Sequence, residues 1–106
     1  MRWLAMTFEE FEKNGGDLPG LPPALRSLWH DARGNWDEAH RIAQEDGSVD
    51  GSWVHAYLHR KEGDISNARY WYARAGKTAY AGSLDEEWRK IATSLLASTR
   101  ADEQKS

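Results

Sequence analysis

Histidines are the residues of this 106-residue chain best suited to metal or acid–base chemistry. His55 and His59 stand four positions apart, so on a helix their rings share one face. Imidazole pairs at this spacing bind zinc, copper or nickel, and a third ligand could come from His30 or Glu62. The chain has no H-E-x-x-H sequence and no cysteine. We therefore expect solvent-facing or hydrogen-bonded histidines, and the sequence by itself assigns neither a metal nor a cofactor.

Other polar side chains lie at the edges of the predicted helices, where a ligand or a partner would touch them. His40 and Arg69 occupy matching places in two helices, where each either lines a groove or extends to solvent. Tyr70 opposes the apolar side of its own helix and is expected to be exposed, as tyrosines at interfaces are. The candidate binding residues are therefore His30, His40, His55, His59, Arg60, Arg69 and Tyr70.

A basic stretch spans residues 60–77. It carries five cations and two acids, a local charge of 5 − 2 = +3: Arg60, Lys61, Arg69, Arg74 and Lys77 against Glu62 and Asp64. An acidic peptide or a phosphate could dock there, and a solvated basic face is the alternative. Because the whole chain has a net charge of −3, nucleic acid is not indicated as a partner.

Composition excludes several classes of function. The length fits one domain, and the absence of cysteine excludes disulfides, thiolate catalysis and iron–sulfur clusters. The chain contains no P-loop, G-x-S-x-G or G-x-G-x-x-G sequence, so no enzyme class is nominated. Acidic Glu9 and Glu10 follow the first apolar residues, which argues against a signal peptide, and no apolar run approaches the ~20 residues that span a bilayer. These observations predict a cytoplasmic protein without a membrane segment.

The remaining pattern predicts a single all-α domain built from short helices. Helical periodicity, capping residues and glycine stops divide the chain. Gly15-Gly16 ends the first helix, and a proline-rich linker follows. The predicted units are an N-terminal helix over 7–14, a helical hairpin over 22–46, a second hairpin over 50–76, a capping helix over 83–99 and a polar tail over 100–106.

Two segments of the chain match at an offset of 29 residues. Gly34-Asn35 in the first corresponds to Gly63-Asp64 in the second, and Ala39 corresponds to Ala68. A glycine that ends one helix, a short polar cap that starts the next and an alanine that admits close packing together predict tight helical hairpins.

The segment from Gly63 to Ala75 resembles the second half of a tetratricopeptide repeat, especially the Sel-type variety. The resemblance covers roughly residues 24–76. The segment from His55 to Tyr72 also resembles that of a group of short uncharacterised microbial proteins. The resemblance implies two stacked hairpins in a short right-handed solenoid, with the final helix capping one end and the N-terminal helix covering the other end or the groove.

This architecture makes a protein–protein or peptide-binding module the leading hypothesis, with an unknown protein or peptide partner in the groove. Because so short a stack leaves helix faces uncovered, a homodimer is also expected to be feasible. The alternative is a small-molecule or metal-binding protein, with or without enzymatic activity, that uses His30, His55 and His59. Convergent histidines in the folded chain would favour the alternative.

Overall fold

Helices account for all the regular secondary structure in residues 7–14 and 20–105, the part of the chain that the computed structural model describes. Side chains are described through residue 98. The all-α expectation is confirmed there; the predictions for Met1–Met6 and Gly15-Gly16, and most of the linker, lie outside the described residues. None of the described helices combines the length and hydropathy needed to cross a bilayer. The helices are α1 (Phe8–Asn14), α2 (Pro23–Ala32), α3 (Trp36–Glu45), α4 (Val49–Glu62), α5 (Ile65–Ala75) and α6 (Leu84–Lys105).

Reciprocal capping boxes start the two outermost helices, as the sequence predicts. At α1, the Thr7 N–H donates to Glu10 Oε1 at 2.9 Å, and the Glu10 N–H donates to Thr7 Oγ1 at 3.1 Å. At α6, the Ser83 N–H donates to Glu86 Oε1 and the Glu86 N–H donates to Ser83 Oγ, both at 3.1 Å. Each box satisfies backbone donors that the first helical turn leaves without partners.

Left-handed glycines make the tight turns that connect α2 to α3 and α4 to α5. Gly34 has φ +82° and Gly63 has φ +91°, a region that residues with a Cβ rarely adopt. The next residues, Asn35 and Asp64, each accept the backbone N–H three positions on, at 3.3 Å. The chain therefore reverses within three residues (33–35) in the first turn and within two (63–64) in the second.

Helix α4 lies at the centre of the molecule and packs against α2, α3, α5 and α6. The sequence predicts one buried side containing Trp53, Val54, Tyr57 and Leu58, all of which are buried. Burial is wider than predicted, however, and includes every residue from Gly51 to His59. Because neighbours surround α4, its histidines are enclosed by protein instead of facing solvent.

The two flanking helices depart from the expected arrangement. Helix α6 continues to Lys105 instead of ending near Thr99, because residues 100–105 contain good helix formers and neither glycine nor proline. Helix α1 packs on α6, whereas the sequence predicts that it covers the other end of the hairpins or the groove. Its Phe8 and Phe11 rings lie 5.7 and 5.9 Å from the Trp88 ring, between centroids. The aromatic rings join these terminal elements into one part of the core.

Two burial predictions are wrong. Ala32, expected on the inward stripe of α2, is exposed, and its neighbour Asp31 is buried with 3% exposure. Ile65, expected on the apolar side of α5, is 46% exposed, because it begins the helix at the rim of the turn. The helical period alone could not resolve these positions, because each is a terminal residue of its helix beside a tight turn.

Candidate metal centre

Helices α3 and α4 form an antiparallel pair joined by the short turn at residues 46–48. His40 stands seven residues before Gly47, and His55 stands eight residues after it. Residues at similar distances from such a turn meet side by side, and His59 follows one helical turn beyond His55. The hairpin geometry therefore brings all three imidazoles together.

These three rings form a compact triangle, which we call the histidine cluster (His40, His55 and His59). The Nε2 atoms of His40 and His55 lie 3.0 Å apart. Ring centroids are 4.7 Å apart for His40 and His55, 5.0 Å for His40 and His59, and 4.8 Å for His55 and His59. One ligand nitrogen from each residue lies within 4.8 Å of the other two. Three nitrogen ligands of one chemical type thus lie close to one another.

Tryptophans hold the histidine cluster from two sides. The Trp36 ring stacks on His40 at 4.8 Å between centroids, and the Trp71 ring stacks on His55 at 4.0 Å. Trp36 is itself fixed, because its Nε1 donates to a backbone carbonyl of α4 at 3.0 Å. His55 and His59 are 3% and 7% exposed, and His40 is half-buried. The cluster is therefore preorganised and reaches solvent mainly through His40.

Burial favours the neutral, ligating form of His40 and His55. Desolvation, followed by repulsion from the His40 and His59 rings, lowers the pKa of His55 to about 4. Desolvation also lowers the pKa of His40. The third ring is held by Glu62, because His59 Nδ1 donates to Glu62 Oε1 at 2.7 Å. A carboxylate that fixes a ligating imidazole in this way is a common outer partner in zinc sites.

The spacing of two of these nitrogens fits a tetrahedral transition-metal ion. Nitrogens bound at ~2.0–2.1 Å with tetrahedral angles stand roughly 3.3 Å apart. The 3.0 Å between the His40 and His55 nitrogens is close to that spacing. Three imidazole ligands suit Zn²⁺, Cu²⁺ or Ni²⁺ and leave a fourth position for water.

A second group of ligand atoms, on His59, Glu62 and Asp64, is engaged in local structure. Asp64 caps α5 by accepting from the backbone N–H of Asn67, and Glu62 accepts from His59. Both carboxylates belong to exposed residues. This group therefore supports the histidine cluster and the turn, and the three imidazoles remain the better metal ligands.

His30, which the sequence proposes as the third ligand, lies outside the cluster. Its ring packs edge-on against Trp29 at 5.2 Å between centroids. Repeat equivalence with His59 suggested His30, but equivalent positions of two repeats need not adjoin. The useful signal was the distance from the turn, which pairs His40 with His55.

The other sequence candidates are also outside the cluster. Arg60 Nε donates to Glu87 Oε1 at 3.1 Å, and its Nη2 donates to the Gly82 carbonyl at 2.6 Å. Arg69 is exposed, and Tyr70 is 54% exposed with the Arg74 guanidinium 5.8 Å from its ring centroid. Arg60 thus ties α4 to α6, whereas Arg69 and Tyr70 lie on the outer face of α5.

Sequence reasoning missed two buried carboxylates that link helices. Asp31 accepts from Tyr57 Oη at 2.8 Å and from Lys61 Nζ at 2.9 Å, which joins α2 to α4. Glu87 of α6 accepts from Tyr72 Oη and from Arg60. Desolvation and the adjoining carboxylate raise the pKa values of both tyrosines.

A signal for these carboxylates exists in the sequence. Asp31 follows Leu28 by three positions, and Glu87 precedes Ile91 by four, so each carboxylate stands on the apolar stripe of its helix. A carboxylate at such a position needs a cation or hydrogen-bond donors before it can be buried. Helical periodicity alone does not identify the partner, because the partner lies on another helix.

No large chamber adjoins the histidine cluster among the clefts found in the described part of the chain. Four such clefts have volumes of about 310–350 Å³. None of the four is lined by His40, His55 or His59.

Comparison with known proteins returns no relative. No protein-family model matches the chain, and neither the curated proteins nor the solved structures contain a match. Function must therefore be argued from the geometry of the chain itself.

Proposed function

We propose that this protein binds one divalent transition-metal ion, Zn²⁺, Cu²⁺ or Ni²⁺, through His40, His55 and His59. The observation that carries the proposal is the convergence of three imidazole nitrogens within 4.8 Å of one another in a largely buried setting. A hydrogen-bonded pair would account for His40 and His55 alone. The third ring also has a nitrogen within 4.8 Å of the other two and is held by Glu62, and a third ligand is what a metal site requires.

The proposed ion would join two supersecondary units. His40 belongs to the hairpin of α2 and α3, and His55 and His59 belong to the hairpin of α4 and α5. An ion that binds only the folded arrangement stabilises it by mass action. The proposed role is therefore metal binding coupled to the stability of the contact between the hairpins.

Metal titration of tag-free, chelator-treated protein tests this proposal. Calorimetry with Zn²⁺ and with Cu²⁺ should show one ion per chain. His40→Gln should weaken binding at least about tenfold, since it removes one of three ligands. His40 is the best choice for replacement, because it is half-buried and its loss disturbs the core less than loss of His55.

The matched control is His30→Gln, which removes a histidine outside the cluster. The control should bind the ion like the wild type, and circular dichroism should show both variants to be folded. Equal weakening in both variants, or no near-stoichiometric binding by the wild type, would overturn the proposal.

We also propose that the two hairpins form a short tetratricopeptide-like repeat scaffold. The left-handed Gly34 and Gly63, 29 residues apart, support it. So do Ala39 and Ala68, which are 0% and 2% exposed at the same offset. An experimental structure tests the scaffold: a right-handed stack of the two hairpins is expected, and another packing would contradict it. The cytoplasmic location expected from the sequence remains a prediction.

A second candidate function is protein binding through the outer face of α5. This face exposes Tyr70, at 54%, together with the cations Arg69 and Arg74. Tyrosine and arginine are favoured at the centres of interfaces. The expected occupant is the acidic surface of a second copy, since the chain is net negative outside its basic stretch.

Sedimentation over a concentration series tests this second candidate. The wild type should self-associate, and Tyr70→Glu should remain monomeric. A wild type that stays monomeric up to high micromolar concentration would exclude the second copy as the occupant.

A further inference from the structure

A cleft of about 350 Å³ lies where the segment after α5 meets the flank of α6, away from the histidine cluster. Its walls include Trp53 of α4 and Tyr80 of the connecting segment. Lys77 enters it from the end of α5, and Lys90 enters from α6. The cleft therefore collects cations from two separate elements onto one concave surface.

Most cations of the basic stretch 60–77 do not reach this cleft, because the fold separates them. Lys61 pairs with Asp31, and Arg74 lies over Tyr70 and Trp71 on the outer face of α5. Lys77 is the member of the stretch that lines the cleft. Lys90, which is distant in sequence, adds a second positive charge to the same cleft.

Aromatic rings hold both lysines in place. Lys77 Nζ lies 4.1 Å from the Trp53 ring centroid, and Lys90 Nζ lies 5.6 Å from the Tyr80 ring centroid. Neither lysine forms an ion pair within the described residues. Cation–π contact orients an ammonium group without neutralising its charge. Two oriented, uncompensated charges thus face the same space.

Glu87 is the only acid among the residues found to line the cleft, and its carboxylate already accepts hydrogen bonds from protein groups. Its carboxylate accepts from Arg60 Nε at 3.1 Å and from the Tyr72 hydroxyl. Arg60 and Glu87 cancel each other in charge. The two lysines consequently leave the cleft with an excess charge of about +2, which matches a dianion.

Hydroxyl groups supply further donors. Thr78 and Ser94 line the cleft, and neither side chain forms a hydrogen bond within the described part of the chain. Lys90 and Ser94 lie one turn apart on α6, so they project from the same side of that helix. The carbonyls at the end of α5 do not oppose an anion strongly, because the backbone N–H groups of Gly76 and Lys77 already cap two of them.

We propose that this cleft binds the phosphate group of a small phosphorylated molecule. Ammonium and hydroxyl donors approach from α6 and from the segment after α5, as a tetrahedral group with several acceptor oxygens needs. The cleft of about 350 Å³ is several times larger than the ~30 Å³ that one water molecule takes in the liquid. It therefore has room for more than a bare phosphate ion. The additional space accommodates the organic part of the ligand, and Tyr80 gives the cleft an aromatic wall.

Phenyl phosphate is the probe, titrated at low ionic strength into metal-free, isotope-labelled protein and followed by amide chemical shifts. Saturable shifts should be confined to residues 76–82 and the facing turns of α6. Lys77→Gln and Lys90→Gln should each weaken binding about tenfold, which corresponds to roughly 1.4 kcal/mol. Lys13→Gln on α1 is the matched control and should bind like the wild type.

Succinate separates a phosphate site from a general anion site, because it carries two negative charges on flat carboxylates. Weaker binding of succinate than of phenyl phosphate is expected. Three results would overturn the proposal. They are equal binding of the two anions, equal weakening of binding by Lys13→Gln, and amide chemical shifts that change near every basic residue without saturating. Loss of metal binding by His40→Gln leaves this test unaffected, so the two proposals fail independently.

Discussion

Asp31 and Glu87 show how single residues in this protein carry charge into the core. Each carboxylate accepts hydrogen bonds from a tyrosine hydroxyl and from one cationic side chain of α4. The cation is Lys61 for Asp31 and Arg60 for Glu87. An unpaired carboxylate at these depths would carry a large desolvation cost, and the two donors offset much of it. Because donor and acceptor lie on different helices, each network also specifies which helices adjoin.

Alkaline pH should weaken the fold through these tyrosines. Their pKa values are raised above 10 in the folded chain, so unfolded tyrosine loses its proton first as pH rises. The unfolded state then binds fewer protons than the folded state, and stability falls above pH ~10. Between pH 8 and pH 11 each buried tyrosine should contribute a loss of about 1.4 kcal/mol in the free energy of unfolding.

Urea unfolding of Tyr57→Phe and Tyr70→Phe at both pH values checks this prediction. Tyr57→Phe should reduce the pH-dependent loss in the free energy of unfolding by about 1.4 kcal/mol relative to the wild type. Tyr70 is 54% exposed, so its substitution should leave the loss unchanged. Identical pH dependence in all three proteins would show that the hydroxyl of Tyr57 does not titrate differently on unfolding.

Individual helices were predictable to the extent that their start and stop signals are local. Thr7 with Glu10 and Ser83 with Glu86 mark helix starts within four residues, and Gly63 marks a stop. Contacts between helices have no such local signal. The histidine cluster was therefore found in part: His55 and His59 share a helix, whereas the partner on α3 depends on how the turn pairs the two helices. The end of α6 was missed because no stop residue follows Thr99.

The turn between α4 and α5 should be sensitive to loss of glycine. Gly63 has φ +91°, and a β-branched residue is strained in that conformation even where space is available. Gly63→Val should lower the free energy of unfolding by about 2 kcal/mol or more. Thermal and urea melts measure it directly.

Gly47→Val is the matched control for this turn substitution. Gly47 is not among the glycines with positive φ, and no atom lies within 4 Å of a Cβ added there. Its replacement should therefore cost much less than that of Gly63. Comparable melts for the two variants would contradict the tight-turn account, and the repeat interpretation depends on that turn.

Over the whole molecule, stability depends on elements outside the two hairpins. Helix α6 contacts α1, α2 and α4, and its Trp88 Nε1 donates to the Leu28 carbonyl at 2.9 Å across 60 residues of chain. Two repeats are fewer than the ~3 that stacked repeat proteins usually need. The flanking helices thus complete a core that the hairpins alone leave open.

Deleting residues 83–106 should accordingly abolish cooperative folding. The deletion removes Trp88, Ile91, Leu95 and Leu96, all at most 8% exposed. Each large buried apolar side chain contributes about 2 kcal/mol, against a total domain stability of about 5–15 kcal/mol. It also leaves the Arg60 guanidinium without its buried carboxylate. Circular dichroism should show a broad, non-cooperative melt. Deleting only residues 99–106 removes no side chain of the described core and should preserve a cooperative transition, so a sharp melt from the longer deletion would show that the hairpins fold alone.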